Sequence, residues 1–309
     1  MANVQTISAQ RDAVDIRVYA PAESLRPLVS SYYFLESMGP LADFAPPEQA
    51  NIRFAIEGVW RLGSNDGKAA IKPSNASLFG PSDRARRFAT DGGLLMGVGL
   101  TATGWLTFIG GHASDFANLI LPLGRQLGPS GLEILGRLAG ASGDSERVAI
   151  LDAILRDRPT RQNAYCAIAA QVQDAIQSGK IEDVADLAET VGVEHRRLLR
   201  VCTSAFGFPP VRLLRRQRFL RTLNLMRDRR DQPIGKLIDS SYYDQAHFNR
   251  EFKAYMGMTP RAYFGMPHDI VDRVMQANDG VSDRWRGDRR EPVQAMGESE
   301  TDAEGGFWP

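Results

Sequence analysis

The feature that most constrains the fold is a helix–turn–helix pattern that occurs twice in the second half of the chain. In the first copy, residues 181–207, apolar residues recur at helical spacing up to Val191, and Gly192 provides a turn. A second helix begins near Glu194, and its opposite faces differ in character. One face predicts packing on the preceding helix, and the other predicts a helix free to enter a groove of a nucleic acid. The first face carries Leu198, Val201, Cys202 and Ala205, and the second carries Arg196, Leu199, Arg200 and Thr203.

The second copy spans residues 233–257. A short helix that includes Leu237 leads into an aromatic turn, and Asp244 is a favourable N-cap for the next helix. Phe248, Phe252 and Tyr255 share one face of that helix, which predicts a core position. Asn and Gln side chains match the hydrogen-bonding edge of adenine, and Arg matches guanine or a phosphate. Such side chains occupy the neighbouring arc, at Gln245, Ala246, Asn249, Arg250 and Lys253.

A continuous helical pattern, residues 210–227, separates the two copies. A helix of about 18 residues is about 27 Å long. Recognition helices that fill successive major grooves on one face of DNA lie about 34 Å apart. The spacing therefore predicts that one chain fills two successive major grooves. The arginines of this helix, among them Arg212, Arg215, Arg216 and Arg218, are candidates either for phosphate contacts or for a solvated face.

The charge distribution supports a nucleic-acid partner. The whole chain has 37 basic and 37 acidic residues, yet residues 191–264 contain 15 Lys or Arg and only 6 Asp or Glu. That segment has a net charge of +9, and the remainder has −9. Such asymmetry indicates a surface for an anionic partner, and the alternative is a solvated helical surface.

The first 140 residues favour strands. Short β-rich runs such as SSYYFLE, NIRFAIEGVWRL and LLMGVGL are separated by Gly, Pro, Asn and Asp. TATGWLTFIG and ASDFANLI predict short helices, and residues 145–157 predict an amphipathic one. The predicted class is α+β, with a β-rich domain at 1–158 and an all-α domain with two helix–turn–helix units at 162–267. The polar residues 268–309 are predicted to be disordered.

The second copy carries a family resemblance. SYYDQAHFNREFKAYMGMTPRAYF resembles the signature of the AraC/XylS family of bacterial transcription regulators, and the likeness extends over about residues 165–265. The first copy matches more loosely. In the first copy, Glu194 stands at the usual cap position and Cys202 at a usually aromatic position. In the second copy, Ser241 takes the place of a turn glycine. The resemblance implies that the first helix directs Arg196, Leu199 and Arg200 toward bases, and the second Gln245, Ala246, Asn249 and Arg250.

The N-terminal half contains APAESLRPLVSSYYFLE and GVGLTATGWLTFIGGHASDFANLILPLGRQLG, followed by a helix. These segments resemble, more weakly, the sensor domains that precede such DNA-binding domains. The likeness implies a cupin-like barrel with trailing helices, for sensing a small-molecule effector or for forming a homodimer. The AraC/XylS resemblance implies promoter DNA and RNA polymerase as partners, with activation favoured over repression. Helix 145–157 either pairs with its copy or packs on its own barrel. Aromatic candidates for lining the barrel are Tyr32, Phe34, Phe54, Trp60, Phe79 and Trp105.

Other function classes lack their residues in this sequence. No run of about 18 apolar residues predicts a membrane span, and no signal pattern opens the chain, so a cytoplasmic protein is predicted. Cys166 and Cys202 are expected in the core, and no cofactor, metal or catalytic residue is predicted. His247 is interpreted as structural. The alternatives are a cupin-type enzyme with an appended DNA-binding domain and a DNA-binding adaptor without a ligand.

Overall fold

The computed structural model describes residues 14–63, 70–158, 163–229, 237–238, 242 and 244–266. The predicted disordered segment 268–309 lies outside the described residues. So do most of the short helix predicted at the start of the second helix–turn–helix copy and the turn position Ser241.

The described residues of the N-terminal half include nine strands in two antiparallel sheets. Their bounds are β1 Val14–Tyr19, β2 Val29–Ser37, β3 Leu41–Ala45, β4 Asn51–Ala55, β5 Trp60–Gly63, β6 Ala76–Phe79, β7 Arg86–Thr90, β8 Gly93–Leu100 and β9 Ile120–Pro122. One sheet has the order β1-β2-β8-β4-β6-β9, and the other has the order β3-β7-β5. The predicted run NIRFAIEGVWRL is thus divided between two sheets, and Gly58, with φ +76°, lies in the turn.

Alternation along the strands gives the larger sheet two different faces. Tyr32, Val98 and Ile52 are paired across β2, β8 and β4, and all three are fully buried. One residue along, Tyr33 is paired with Gly97, and Gly97 with Arg53. A Cβ atom on Gly97 would lie 1.9 Å from the Tyr33 ring, so only glycine allows that ring to lie across the strand.

Within the described residues, nine helices follow or flank the strands. They are α1 Ala102–Gly104, α2 Gly131–Ala139, α3 Asp144–Arg156, α4 Cys166–Ser178, α5 Val184–Val191, α6 His195–Phe206, α7 Pro210–Asp228, α8 Gln245–Met256 and α9 Pro260–Phe264. A π-helical turn, Trp105–Ile109, continues α1, and 3-10 turns lie at Glu23–Leu25 and Ala113–Phe116. The predicted helix ASDFANLI is correct only in its first half, because Asn118 adopts φ +62° and the chain then enters β9. The α+β class is confirmed.

The amphipathic helix predicted at 145–157 is α3, and it packs on its own barrel. Its buried face carries Leu151, Ile154 and Leu155. The Tyr32 hydroxyl donates a hydrogen bond to Asp152 (2.8 Å), and Asp144 at the start of α3 forms an ion pair with Arg17 (2.6 Å). Of the two alternatives for this helix, packing on the barrel accounts for its apolar face.

The hydrophobic core continues from the barrel into the C-terminal helices. A single cluster of buried side chains includes Phe34 in the barrel, Val172 in α4, Leu198 in α6 and Leu213 in α7. A second cluster contains the aromatic residues of α7, α8 and α9. None of the helices in the described part of the chain is long and apolar enough to cross a membrane.

Candidate nucleic-acid interface

The first helix–turn–helix unit consists of α5 and α6. Asp183 caps α5 by accepting a hydrogen bond from the Asp186 amide (2.9 Å), and Gly192 ends α5 with φ +70°. That left-handed conformation is accessible to glycine without strain. Glu194 begins α6 without a side-chain cap hydrogen bond, as its departure from the usual cap residue predicted.

The two faces of α6 are as different as the sequence predicted. Leu198, Val201, Cys202 and Ala205 are buried, and burial raises the pKa of the Cys202 thiol to about 12. Cys166, expected in the core as well, is only partly buried. On the opposite face Arg196 and Arg200 are exposed, and Leu199 is 44% exposed. An exposed leucine between two arginines is compatible with contact to a thymine methyl group.

The second unit presents α8. Asp244 caps it by accepting a hydrogen bond from the His247 amide (2.6 Å). Phe248 and Phe252 are fully buried, with ring centroids 5.7 Å apart in a tilted edge contact. The ring of Phe219 from α7 stacks on Tyr255 at 4.6 Å, so aromatic packing attaches α8 to the long helix. The four positions predicted to face bases are all exposed: Gln245, Ala246, Asn249 and Arg250.

His247 has a structural environment. Its ring lies 5.5 Å from the Tyr242 ring, and its Nε2 atom is 3.8 Å from Glu251. Glu251 is itself held by the Tyr242 hydroxyl (3.1 Å) and by Arg218 (3.3 Å). Among the described residues, no group of three or more His, Cys, Asp or Glu side chains is placed to hold a metal ion.

The arginines of α7 have different roles. Arg215 is exposed, and Arg212 forms an ion pair with Asp83 of the first domain (3.0 Å). Arg216 is only 7% exposed and donates hydrogen bonds to the Ser82 carbonyl (3.2 Å) and the Glu48 carbonyl (3.4 Å). Arg216 therefore joins the helix to the barrel and is not available to phosphate, which corrects its place among the candidate contacts.

A cavity of about 350 Å³ lies between the two sheets, and Gln173 and Gln177 of α4 also line it. Of the six aromatic candidates, only Trp60 and Phe79 line it, and the other four are buried in the hydrophobic cluster that continues into the C-terminal helices. Arg53 lies at the cavity wall, with an ion pair to Glu48 (2.7 Å) and a hydrogen bond to the Tyr33 hydroxyl (2.7 Å). Although burial opposes the charge of Arg53, the Glu48 carboxylate and the Tyr33 hydroxyl keep the pKa of its guanidinium above its ordinary value.

Arg53 and Glu48 were not among the residues singled out in the sequence. The signal was present, because Arg53 lies between Ile52 and Phe54, both fully buried, and must point to the other face of the sheet. Glu48 has no comparable signal, since it lies in the irregular segment before β4.

One comparison with known proteins, that with protein-family models, identifies the same C-terminal segment. A family model described as a helix-turn-helix domain matches residues 187–266, while a search of curated protein sequences returned no match. Among solved structures, ToxT from Vibrio cholerae with a bound unsaturated fatty acid is 12% identical, with a TM-score of 0.39 over 84% of this chain and 98% of that one.

Two further solved structures are similar to parts of the chain. The AraC-like transcriptional activator CuxR is 13% identical, with a TM-score of 0.24 over 68% of this chain and 86% of that one. An RmlC-like cupin from Shewanella frigidimarina is 8% identical, with a TM-score of 0.24 over 32% of this chain and 84% of that one. The family match covers both α6 and α8, so residues 187–266 match a helix-turn-helix domain.

Proposed function

We propose that the chain is a sequence-specific transcription regulator that binds promoter DNA through α6 and α8. The observation that carries this proposal is the exposure of a polar or basic face on each of two helices, α6 and α8, whose opposite apolar faces pack against α7 in two separate clusters. A buried face that fixes the helix and a free face that can hydrogen bond to base edges are the requirements of a recognition helix.

The seven side chains proposed to contact DNA are Arg196, Leu199, Arg200, Gln245, Ala246, Asn249 and Arg250. The proposed domains are a sensor or dimerisation domain at 1–158 and the DNA-binding domain at 162–267. Activation through contact with RNA polymerase, and a homodimer, rest on the family resemblance alone.

The cavity in the barrel supports control by a small-molecule effector. Its volume of about 350 Å³ lies in the range of ligand sites, and its wall combines apolar side chains with a few polar groups. Arg53 and the Tyr33 hydroxyl are donors that would orient a polar group of the ligand. A ligand that binds the native state raises the melting temperature of the full chain, and a thermal-shift screen identifies it. Matched screening of Arg53→Met tests whether the hit occupies this cavity.

The DNA-binding proposal is tested by fluorescence anisotropy of the full chain. The two probes are a duplex from the DNA upstream of its own coding sequence and a scrambled duplex of the same composition, each at two salt concentrations. Tight binding to the upstream duplex alone, retained at the higher salt, is the expected result. Equal binding to both duplexes, with a steep loss of affinity at the higher salt, would show a basic surface that binds DNA without sequence specificity.

A further inference from the structure

A large basic cleft lies between the barrel and the second helix–turn–helix unit. Its volume is about 1160 Å³. One wall comes from the first domain and includes Arg84 and Arg86, and the other comes from α7 and α8 and includes Arg212, Arg215 and Arg250. Against these five arginines stand two carboxylates, Asp83 and Glu251, which leaves a surplus of three positive charges with His247 neutral.

Both carboxylates are satisfied inside the protein. The Asp83 carboxylate accepts a hydrogen bond from the side-chain amide of Asn118 (2.8 Å) and forms an ion pair with Arg212 (3.0 Å). Glu251 is held by α7 and the aromatic turn, as described above. Both carboxylates are largely buried, so they do not neutralise the charge of the more exposed arginines of the cleft.

Arg84 is the most accessible cation that the first domain contributes to the cleft. Its side chain is 74% exposed, and its recorded ion-pair contact is with Asp83 at 3.7 Å, which is too long for a strong hydrogen bond. Arg86, two residues along, is less available, because its guanidinium donates to the Asn118 carbonyl and burial lowers the pKa of that guanidinium.

The loop that carries Arg84 extends from one helix–turn–helix unit to the other. At one end, Pro81 packs against the turn after α6, where a Cβ atom on Gly207 would lie 2.5 Å from its ring. At the other end, the Ala85 amide donates a hydrogen bond to the Tyr255 carbonyl in α8 (2.7 Å). Arg84 therefore projects from the first domain between the end of α6 and the flank of α8.

We propose that the loop of residues 81–86 is a DNA-backbone contact surface in which Arg84 binds a phosphate between the two major grooves. This inference rests on the proposed function. When two helices fill successive major grooves on one face of DNA, the backbone between them passes the protein segment that joins them. Cations at that place gain free energy by releasing condensed counterions, whatever the base sequence. The first domain thus contributes directly to DNA affinity.

The test measures salt dependence with the full chain and a duplex of random sequence, about 40 base pairs long, which spans both proposed grooves. Anisotropy titrations at several salt concentrations give the slope of log K against log salt. Each phosphate contact contributes about 0.9 to this slope. Arg84→Ala is expected to lower its magnitude by about 1, and Arg84→Lys to restore it.

Arg87→Ala is the matched control, because Arg87 is an exposed arginine three residues away that does not line the cleft. Its slope is expected to equal that of the wild type. If the wild type binds the duplex and Arg84→Ala shows the same salt slope, the proposed phosphate contact at residues 81–86 is wrong, while the proposed function stands. A wild-type chain that binds neither this duplex nor the upstream one overturns the proposed function and the surface together.

Discussion

Arg250 lies at the edge of two surfaces, and its role can be decided by measurement. It is exposed on α8 beside Asn249, yet it also lines the basic cleft. If it reads guanine with two hydrogen bonds, Arg250→Ala costs about 1–3 kcal/mol on the preferred site and relaxes selectivity at one base pair. Competition titrations with single-base variants of the bound duplex check this.

The control for Arg250 is Lys253→Ala, an exposed cation one turn further along α8. Lysine acts as a point charge toward phosphate, so its loss is expected to weaken all duplexes about equally. The base-reading assignment fails if Arg250→Ala produces the same uniform loss, and Arg250 then belongs with Arg84 in the backbone contacts.

At the scale of elements, the two proposed recognition helices, α6 and α8, differ in how they begin. Asp244 caps α8 through a hydrogen bond to the His247 amide, whereas Glu194 makes no side-chain cap bond at α6. Asp244→Ala is expected to destabilise the native state by about 1 kcal/mol, and Glu194→Ala to change its stability little. Urea unfolding followed by circular dichroism compares the two variants. Equal costs would show that Glu194 has a role that the absence of a cap bond does not reveal.

Arg216 connects the long helix to the barrel. Its guanidinium is buried and bonded to two backbone carbonyls of the first domain, so Arg216→Ala leaves those acceptors without their donor. A buried unsatisfied polar group costs about 1–3 kcal/mol. The melting temperature of Arg216→Ala is expected to fall, and that of Arg215→Ala, on the exposed side of the same turn, to stay near the wild-type value. Equal shifts would contradict the connecting role.

The sequence correctly predicts those helices and strands that a single local residue pattern specifies. The α6 and α8 faces follow from apolar residues at helical spacing, and β2, β4 and β8 follow from β-rich runs between turn residues. β3 and β7 were missed because Asp43, Arg86 and Arg87 give those segments the character of charged loops. β3 and β7 pair with each other in the second sheet, and these two strands are far apart in the sequence.

At the scale of the whole molecule, the contacts between the two halves were the part that sequence could not predict. The burial of Arg216 and the hydrogen bond between His112 Nδ1 and Ser204 Oγ (2.8 Å) depend on which surfaces meet. A basic residue on a helix gives the same signal whether it faces water, DNA or a neighbouring domain. The exposure of the candidate base-reading residues was predictable because it follows from local helical periodicity, whereas the cleft and the cavity arise from tertiary packing.

Gly207 tests how tightly the two halves are packed. Both Gly192 and Gly207 end recognition-unit helices in the left-handed conformation, with φ +70° and +80°. Replacing either with alanine imposes a backbone cost of about 1 kcal/mol. A Cβ atom at Gly192 would meet open space, but at Gly207 it would lie 2.5 Å from Pro81 and 3.0 Å from the Ala113 carbonyl oxygen.

Gly207→Ala is therefore expected to lower the melting temperature of the full chain more than Gly192→Ala does. The additional loss comes from overpacking at the contact between the domains, which typically costs about 1–3 kcal/mol. Differential scanning calorimetry of both variants measures the difference directly. If the two variants have equal melting temperatures, Pro81 moves aside without a cost in stability. The loop that carries Arg84 is then not held rigidly between the two helix–turn–helix units.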